Sequence, residues 1–252
     1  MTKNYEFHEW QYNLLDVDDF STSSKSRLRF WYEHIRKNCH DVGDILEFGV
    51  YRGSSALAVA LILKQLGSNK KIYAFDSFEG FPSYSKFDDL ENFKNRKYFS
   101  ENLFREHLKF KELKKIQTGI SSFDTDSIAT SGNFSGTSLE ILKKKISYFQ
   151  LDNIEIIEGS FEETVPEFFD KTPIKISSCN IDCDLYDGYR ITLPYVYKHL
   201  NKAGYIHLDE YFSYKYPGAK IATDNFCAQE NILPTKQKNI RKGEFERWFI
   251  SK

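Results

Sequence analysis

The sequence predicts an α/β fold on a mostly parallel sheet, and three observations carry that prediction. Short apolar strands alternate with amphipathic helices along most of the chain. The first strand runs into a glycine-flanked turn and an apolar helix, which with the next strand makes a parallel βαβ unit of about thirty residues. The last two apolar runs have no helix between them, so the sheet should finish in an antiparallel pair.

The elements follow in order. The stretch Ser21–Ser24 precedes an amphipathic helix over 27–35, within an N-terminal helical extension over 1–42. Residues 44–50 form a buried strand, and 54–66 an apolar helix that Gly67 ends. The next strand is 71–76. The alternation then pauses over 77–135, a polar and aromatic stretch with helical fragments such as 104–113. A segment this long is more often an insertion or lid than a structureless loop. Regular order resumes with helix 138–149, strand 154–158, helix 161–169, strand 174–182 and helix 185–200. Strand 204–209, helix 218–227 and a terminal hairpin of 233–240 and 243–250 complete one domain over 1–252.

Composition bounds the function. The net charge over 252 residues is −1, which argues against broad adhesion to nucleic acid or an anionic membrane. The longest apolar run, 56–63, falls far short of the roughly 18–20 residues of a spanning helix. The polar N-terminus lacks a signal-peptide core, so a cytoplasmic protein is expected. Cys39, Cys179, Cys183 and Cys227 form no CxxC pair and read as small buried hydrophobes in a reducing compartment. Aromatic residues make up 16% of the chain, enough to leave rings for a pocket once the core is filled. A homo-oligomer stays open.

Two groups of residues at strand ends carry the chemistry. Glu47-Phe-Gly49-Val-Tyr-Arg-Gly53-Ser54 lies where the first strand gives way to its helix. Glycines there let a ligand approach the backbone, and the helix start offers free N–H groups. The spacing is not the G-x-G-x-x-G of dinucleotide binders, which favours an amino-acid carboxylate with adenosine over a pyrophosphate. Asp76, with Ser77 after it, ends the second strand where an acid accepts ribose hydroxyls. Gly159, Ser160 and Phe161 make a third turn on the same edge, suited to an adenine. The second group is acidic: Asp182 and Asp184 end one strand, and Asp209 and Glu210 the next, two residues after His207. Clustered carboxylates repel unless a cation or proton intervenes, and oxygen-only donors suit a hard divalent ion. His207 reads as a core or supporting residue.

Four segments resemble the macrocin O-methyltransferase family: Gly43-Asp-Ile-Leu-Glu-Phe-Gly-Val-Tyr-Arg-Gly53, Asp76-Ser-Phe-Glu-Gly-Phe-Pro82, Asn180-Ile-Asp-Cys-Asp-Leu-Tyr-Asp187 and Leu208-Asp-Glu-Tyr211. The second and third are the most specific. The resemblance covers about 43–228. It implies a Rossmann-like class I methyltransferase, with a seven-stranded sheet and an antiparallel last strand. It also implies an enzyme that uses S-adenosylmethionine and a divalent metal (magnesium first, manganese or iron as alternatives) to methylate sugar hydroxyls.

Carried over by position, Glu47, Gly49, Gly53 and Ser54 line the methionine side, and Asp76 and Ser77 the ribose. Gly159, Ser160 and Phe161 flank adenine. Asp182 borders the cofactor and binds the metal with Asp209 and Glu210, and Asp184 is the general base. Glu210 stands where the family usually has aspartate. The expected acceptor is a small sugar, nucleotide-activated or on a surface polysaccharide, with Tyr186, Tyr211 and Phe212 as candidate stacking residues. The rival readings are a catechol-type metal-dependent methyltransferase, a nicotinamide oxidoreductase and a non-catalytic nucleoside binder.

Overall fold

The computed structural model describes residues 7–129, 134–238 and 240–252. Parts of three expected elements therefore lie outside the described residues: 1–6 of the extension, 130–133 of the insertion and 239 of the hairpin.

Five adjacent strands run parallel: β1 (Asp44–Phe48), β2 (Ile72–Asp76), β3 (Ile154–Glu158) at the edge, β4 (Ile176–Ile181) and β5 (Leu200–Leu208). β6 (Thr235–Lys236) and β7 (Trp248–Ser251) complete a seven-stranded sheet of order β3-β2-β1-β4-β5-β7-β6, with β7 antiparallel to both neighbours. The order reverses between β1 and β4, so the C-terminal ends of those strands flank the crevice in which open α/β sheets bind ligands.

Alternation along each strand divides the core into two layers. Leu46, Phe48, Cys179, Ile181, Ile206 and Leu208 pack on one face, against α6 (Phe161–Lys171), α7 (Tyr186–His199) and α8 (Pro217–Glu230). Ile45, Ile72, Ala74 and Tyr205 pack on the other, against α2 (Arg29–Lys37) and α3 (Ser54–Gln65), together with Leu142 and Phe149 around α5 (Leu139–Tyr148). Helix α3 is buried from Ser55 to Leu63, as a helix that is apolar nearly all round must be.

The structure departs from expectation mainly at the periphery. A short helix α1 (Glu9–Leu14) precedes α2; His8 and Gln11 cap it reciprocally, a signal too brief to stand out in sequence. The terminal hairpin exists, but its strands are shorter than expected and residues 237–247 separate them. Polar residues crowd that link, and a short charged edge resists further pairing. In the insertion, the fragment at 104–113 is the middle of a longer helix, α4 (Glu101–Thr118). Ser100 caps its start and Gly119 its end in the left-handed conformation. Leu90, Phe93, Phe99 and Leu103 of the insertion share an apolar cluster with Leu185, Tyr216 and Ile221. This anchors the insertion to the starts of α7 and α8, beside the sheet's C-terminal edge. No described helix is long and apolar enough to cross a membrane.

Candidate active site

The crevice has a floor that strand register dictates. Glu47 of β1 lies opposite Asn180 of β4, and Asn180 opposite His207 of β5. All three side chains are fully buried. Asn180 Nδ2 donates to Glu47 Oε1 at 2.9 Å, and Ser55 Oγ of α3 donates to the same oxygen at 2.5 Å. Burial pushes the Glu47 carboxyl up to about 8, despite these two hydrogen bonds. Glu47 is thus tied to α3 and β4 through Oε1, while its buried Oε2 has no hydrogen-bond partner among the described residues.

Two residues further along each strand comes the working row, on the same face because side chains alternate. It holds Gly49, Asp182 and Asp209. Gly49 has φ +87°, and a Cβ there would stand 1.8 Å from the Asp182 carbonyl oxygen. Only glycine lets the two strand ends approach this closely. Gly53 is likewise left-handed, and Leu142 fills the space a Cβ would need. The Asp76 carboxylate organises the turn: Oδ2 accepts from the N–H groups of Val50 and Tyr51, at 2.7 and 2.8 Å. Its Oδ1 accepts from Phe78 N at 2.8 Å. The Gly159 N–H donates to the Asp76 carbonyl at 3.0 Å, drawing the third turn to the first two. Phe161 leaves that turn and meets Phe48 edge-on, with ring centroids 5.7 Å apart. Ser54 begins α3, and its carbonyl accepts from Asp18 N at 3.1 Å. The Ser77 hydroxyl is turned into its own loop, towards the Gly80 carbonyl.

On the other side of the crevice the acids converge. One carboxylate oxygen from each of Asp182, Asp209 and Glu210 lies within 4.8 Å of the others. Asp184 stands beside them in the left-handed region at φ +59°, buried, with its N–H 3.4 Å from Glu210 Oε2. The Tyr189 hydroxyl lies 2.7 Å from both the Glu210 carboxylate and the Ile181 carbonyl, and accepts from Glu210 N. His207 Nε2 lies 3.7 Å from Asp209 Oδ1, beyond hydrogen-bond distance, and has no hydrogen-bond partner among the described residues.

These acids do not ionise alike. Burial opposes charge on all of them, but the Arg27 guanidinium holds Asp209 well below the usual carboxylate range. Burial raises Glu210 well above that range, and the neighbouring Asp209 charge adds to it. Asp184 is raised well above the range by burial and then by the Asp182 charge. The site therefore sets one carboxylate that is pushed towards the ionised form beside neighbours that are pushed towards the protonated form.

Arg27 also belongs to this cluster, although no motif in the sequence marks it. Its Nη2 donates to Asp182 Oδ2 at 2.6 Å, and its Nη1 pairs with Asp209 Oδ1. It lies 155 positions from Asp182, in the N-terminal extension, where the sequence shows only a polar residue near a helix start. The row Glu47, Asn180 and His207 had a signal, because each stands two residues before a strand-end glycine or acid. Asp88, from the insertion, was also missed. Its buried carboxylate accepts from Tyr186 N at 2.8 Å and from Ser85 N at 2.8 Å, capping α7 just after Asp184.

Of the expected stacking residues, Tyr211 is instead core. Its ring packs on Trp248 at 4.9 Å, and its hydroxyl donates to Asp224 at 2.8 Å. Tyr186 stacks on Phe87 of the insertion at 4.3 Å. The Tyr216 hydroxyl is buried and has no hydrogen-bond partner among the described residues.

The strand order, the glycine turn and the acid at the end of β2 define the class I methyltransferase fold, and the family match makes the chain an S-adenosylmethionine-dependent O-methyltransferase. The sequence matches the macrocin O-methyltransferase (TylF) family over residues 23–106 and 109–241, and the chain belongs to that family. Its fold is similar to that of the O-methyltransferase NovP, with TM-score 0.59, 21% identity, 87% of this chain covered and 79% of that one. The calicheamicin methyltransferase CalS11 gives TM-score 0.60 and 19% identity, with 89% and 76% covered. Another structure of CalS11, described as a TDP-rhamnose 3′-O-methyltransferase, gives 0.52 and 17%, with 89% and 76% covered. A Bacillus cereus O-methyltransferase in complex with SAH gives 0.53 and 10%, with 98% and 91% covered. No curated protein matches the chain.

Proposed function

We propose that this enzyme methylates a sugar hydroxyl, on a nucleotide-activated or surface-polysaccharide sugar, with a divalent metal held by Asp182, Asp209 and Glu210. The observation that carries the proposal is the oxygen-only convergence of these three side chains within 4.8 Å, next to the cofactor turn. Such a donor set fits magnesium, manganese or iron(II) better than a soft metal. Bound there, the ion would lower the pKa of an acceptor hydroxyl and orient it. CalS11, similar in fold, bears a name that specifies a nucleotide-linked sugar, which supports that acceptor class here.

The chain's own residues supply the rest. Gly49, Gly53 and Ser54 shape the wall for the methionine portion of S-adenosylmethionine, with Glu47 bracing it. Asp76 and Ser77 stand at the ribose, and Gly159, Ser160 and Phe161 at adenine. Asp182 borders both cofactor and metal. Asp184 accepts the hydroxyl proton, for which it must be ionised. Burial and the Asp182 charge oppose that ionisation, and a cation held by the triad would favour it. The sulfonium loses its charge on methyl transfer, so no strong anion is needed beside it. The 77–135 insertion, anchored by Asp88 and its aromatic cluster, acts as a lid over the acceptor.

A panel of nucleotide sugars, phenols and macrolide glycosides, scored by release of demethylated cofactor, tests the reading. Turnover of a nucleotide sugar that disappears on stringent metal removal is expected. Turnover confined to phenols would replace the sugar acceptor with a catechol-type one. Undiminished turnover after metal removal would take the metal role from the triad.

A further inference from the structure

We propose that Arg27 is a built-in competitor for the divalent metal, setting how tightly the triad binds it. The inference rests on the metal reading above. The planar guanidinium spans Asp182 Oδ2 and Asp209 Oδ1 with its two terminal nitrogens, and these belong to two of the three residues that would hold the ion. A guanidinium and a divalent ion are alternative counter-charges for one pair of acids, and like charges brought that close repel. For the ion to bind at full strength, Arg27 must release at least one carboxylate.

The surroundings suit such an exchange. The Arg27 side chain is 43% exposed, whereas Asp182 and Asp209 are 15% and 14% exposed. The arginine therefore covers the acids from the solvent side and has room to swing outwards. Its backbone is fixed. Ser26 N and Leu28 N donate to the Ser24 and Ser26 hydroxyls, at 2.9 and 3.0 Å. Arg241 Nη2 donates to the Ser24 carbonyl at 2.7 Å. The neighbouring Arg29 pairs with Glu244 instead. Among the described residues, Arg27 is the only lysine or arginine within ion-pair distance of Asp182 or Asp209. The extension thus offers one movable cation on a rigid mount.

The test is a Mn²⁺ titration of the full-length protein with saturating S-adenosylhomocysteine, read by electron paramagnetic resonance and by thermal melting. R27Q should bind Mn²⁺ on the order of tenfold more tightly than wild type. It should melt lower in chelator and gain more from added metal. R27K keeps the positive charge and should stay close to wild type. In the wild-type chain, Mg²⁺ should shift the Arg27 Nε–H resonance, assigned by its loss in R27K; this readout stands even if R27Q does not fold. Equal or weaker Mn²⁺ binding by R27Q, or an unmoved Arg27 resonance when Mg²⁺ binds, would overturn the competition and leave the metal reading standing. Absence of Mn²⁺ binding in every variant, with S-adenosylhomocysteine still bound, would overturn the metal reading and the competition with it.

Discussion

The two halves of the crevice are built by different means. On the cofactor side, a left-handed glycine, a helix start and an Asp76 carboxylate that takes three backbone N–H groups make a wall largely from main chain. On the acid side, four carboxylates from two strand ends gather, and an arginine from the N-terminal extension pairs with two of them. The first half is rigid by sterics, because Gly49 cannot carry a side chain against the Asp182 carbonyl. The second is balanced by electrostatics, with Arg27 as the counter-charge to Asp182 and Asp209. Substitutions should accordingly break the first half through stability and the second through rate.

The largest effect is expected on the acid side. Stringent metal removal, or Asp182→Asn, should lower kcat by about 10³-fold while calorimetry still detects cofactor binding. Preserved turnover would merge the two halves into one sterically defined pocket. Asp184→Asn comes next, with kcat down by about 10²–10³-fold and cofactor and metal affinities retained. Unchanged kcat would clear Asp184 of the base role.

Gly49→Ala should destabilise by about 3 kcal/mol, from positive φ and the backbone clash together. Gly67→Ala is the control: φ is +62° but no heavy atom lies within 4 Å of the added Cβ, so only about 1 kcal/mol is expected. Equal losses in denaturant titrations would mean that the close strand approach contributes nothing.

The most gradual effect, spread over several pH units, concerns the floor beneath both halves. The folded chain holds a proton on Glu47 up to about pH 8, whereas the unfolded chain releases it near the ordinary value of 4.5. The stability this contributes is complete below pH 4.5 and is lost as pH rises towards 8. In mid-window the slope should approach about 1 kcal/mol per pH unit. Glu47→Gln should flatten the profile; an unchanged slope would place the titrating group elsewhere.

Much of this was legible along the chain. Strand–turn–helix periodicity located the five parallel strands, because short apolar runs alternate with helices along the chain. Gly49, Gly53, Asp76, Asp182, Asp184, Asp209 and Glu210 could all be placed at strand ends for the same reason. Arg27 and Asp88 could not, since a lone charged residue in an extension or insertion looks the same whether it meets solvent or a carboxylate. Tyr211 misled because its position beside the acids does not reveal which side of the turn its ring takes; the structure sends it into the core.

What the sequence by itself determined is the order of elements, the parallel sheet and the candidate residues at its edge, since these follow from local periodicity and from spacing within single turns. Only the tertiary structure decided which charges face one another. The row of Glu47, Asn180 and His207 exists because three strands align in one register, and the Arg27 pairing because a segment 155 residues away folds across the strand ends. Such long-range pairings are set by the packing of whole layers, and no local pattern encodes them.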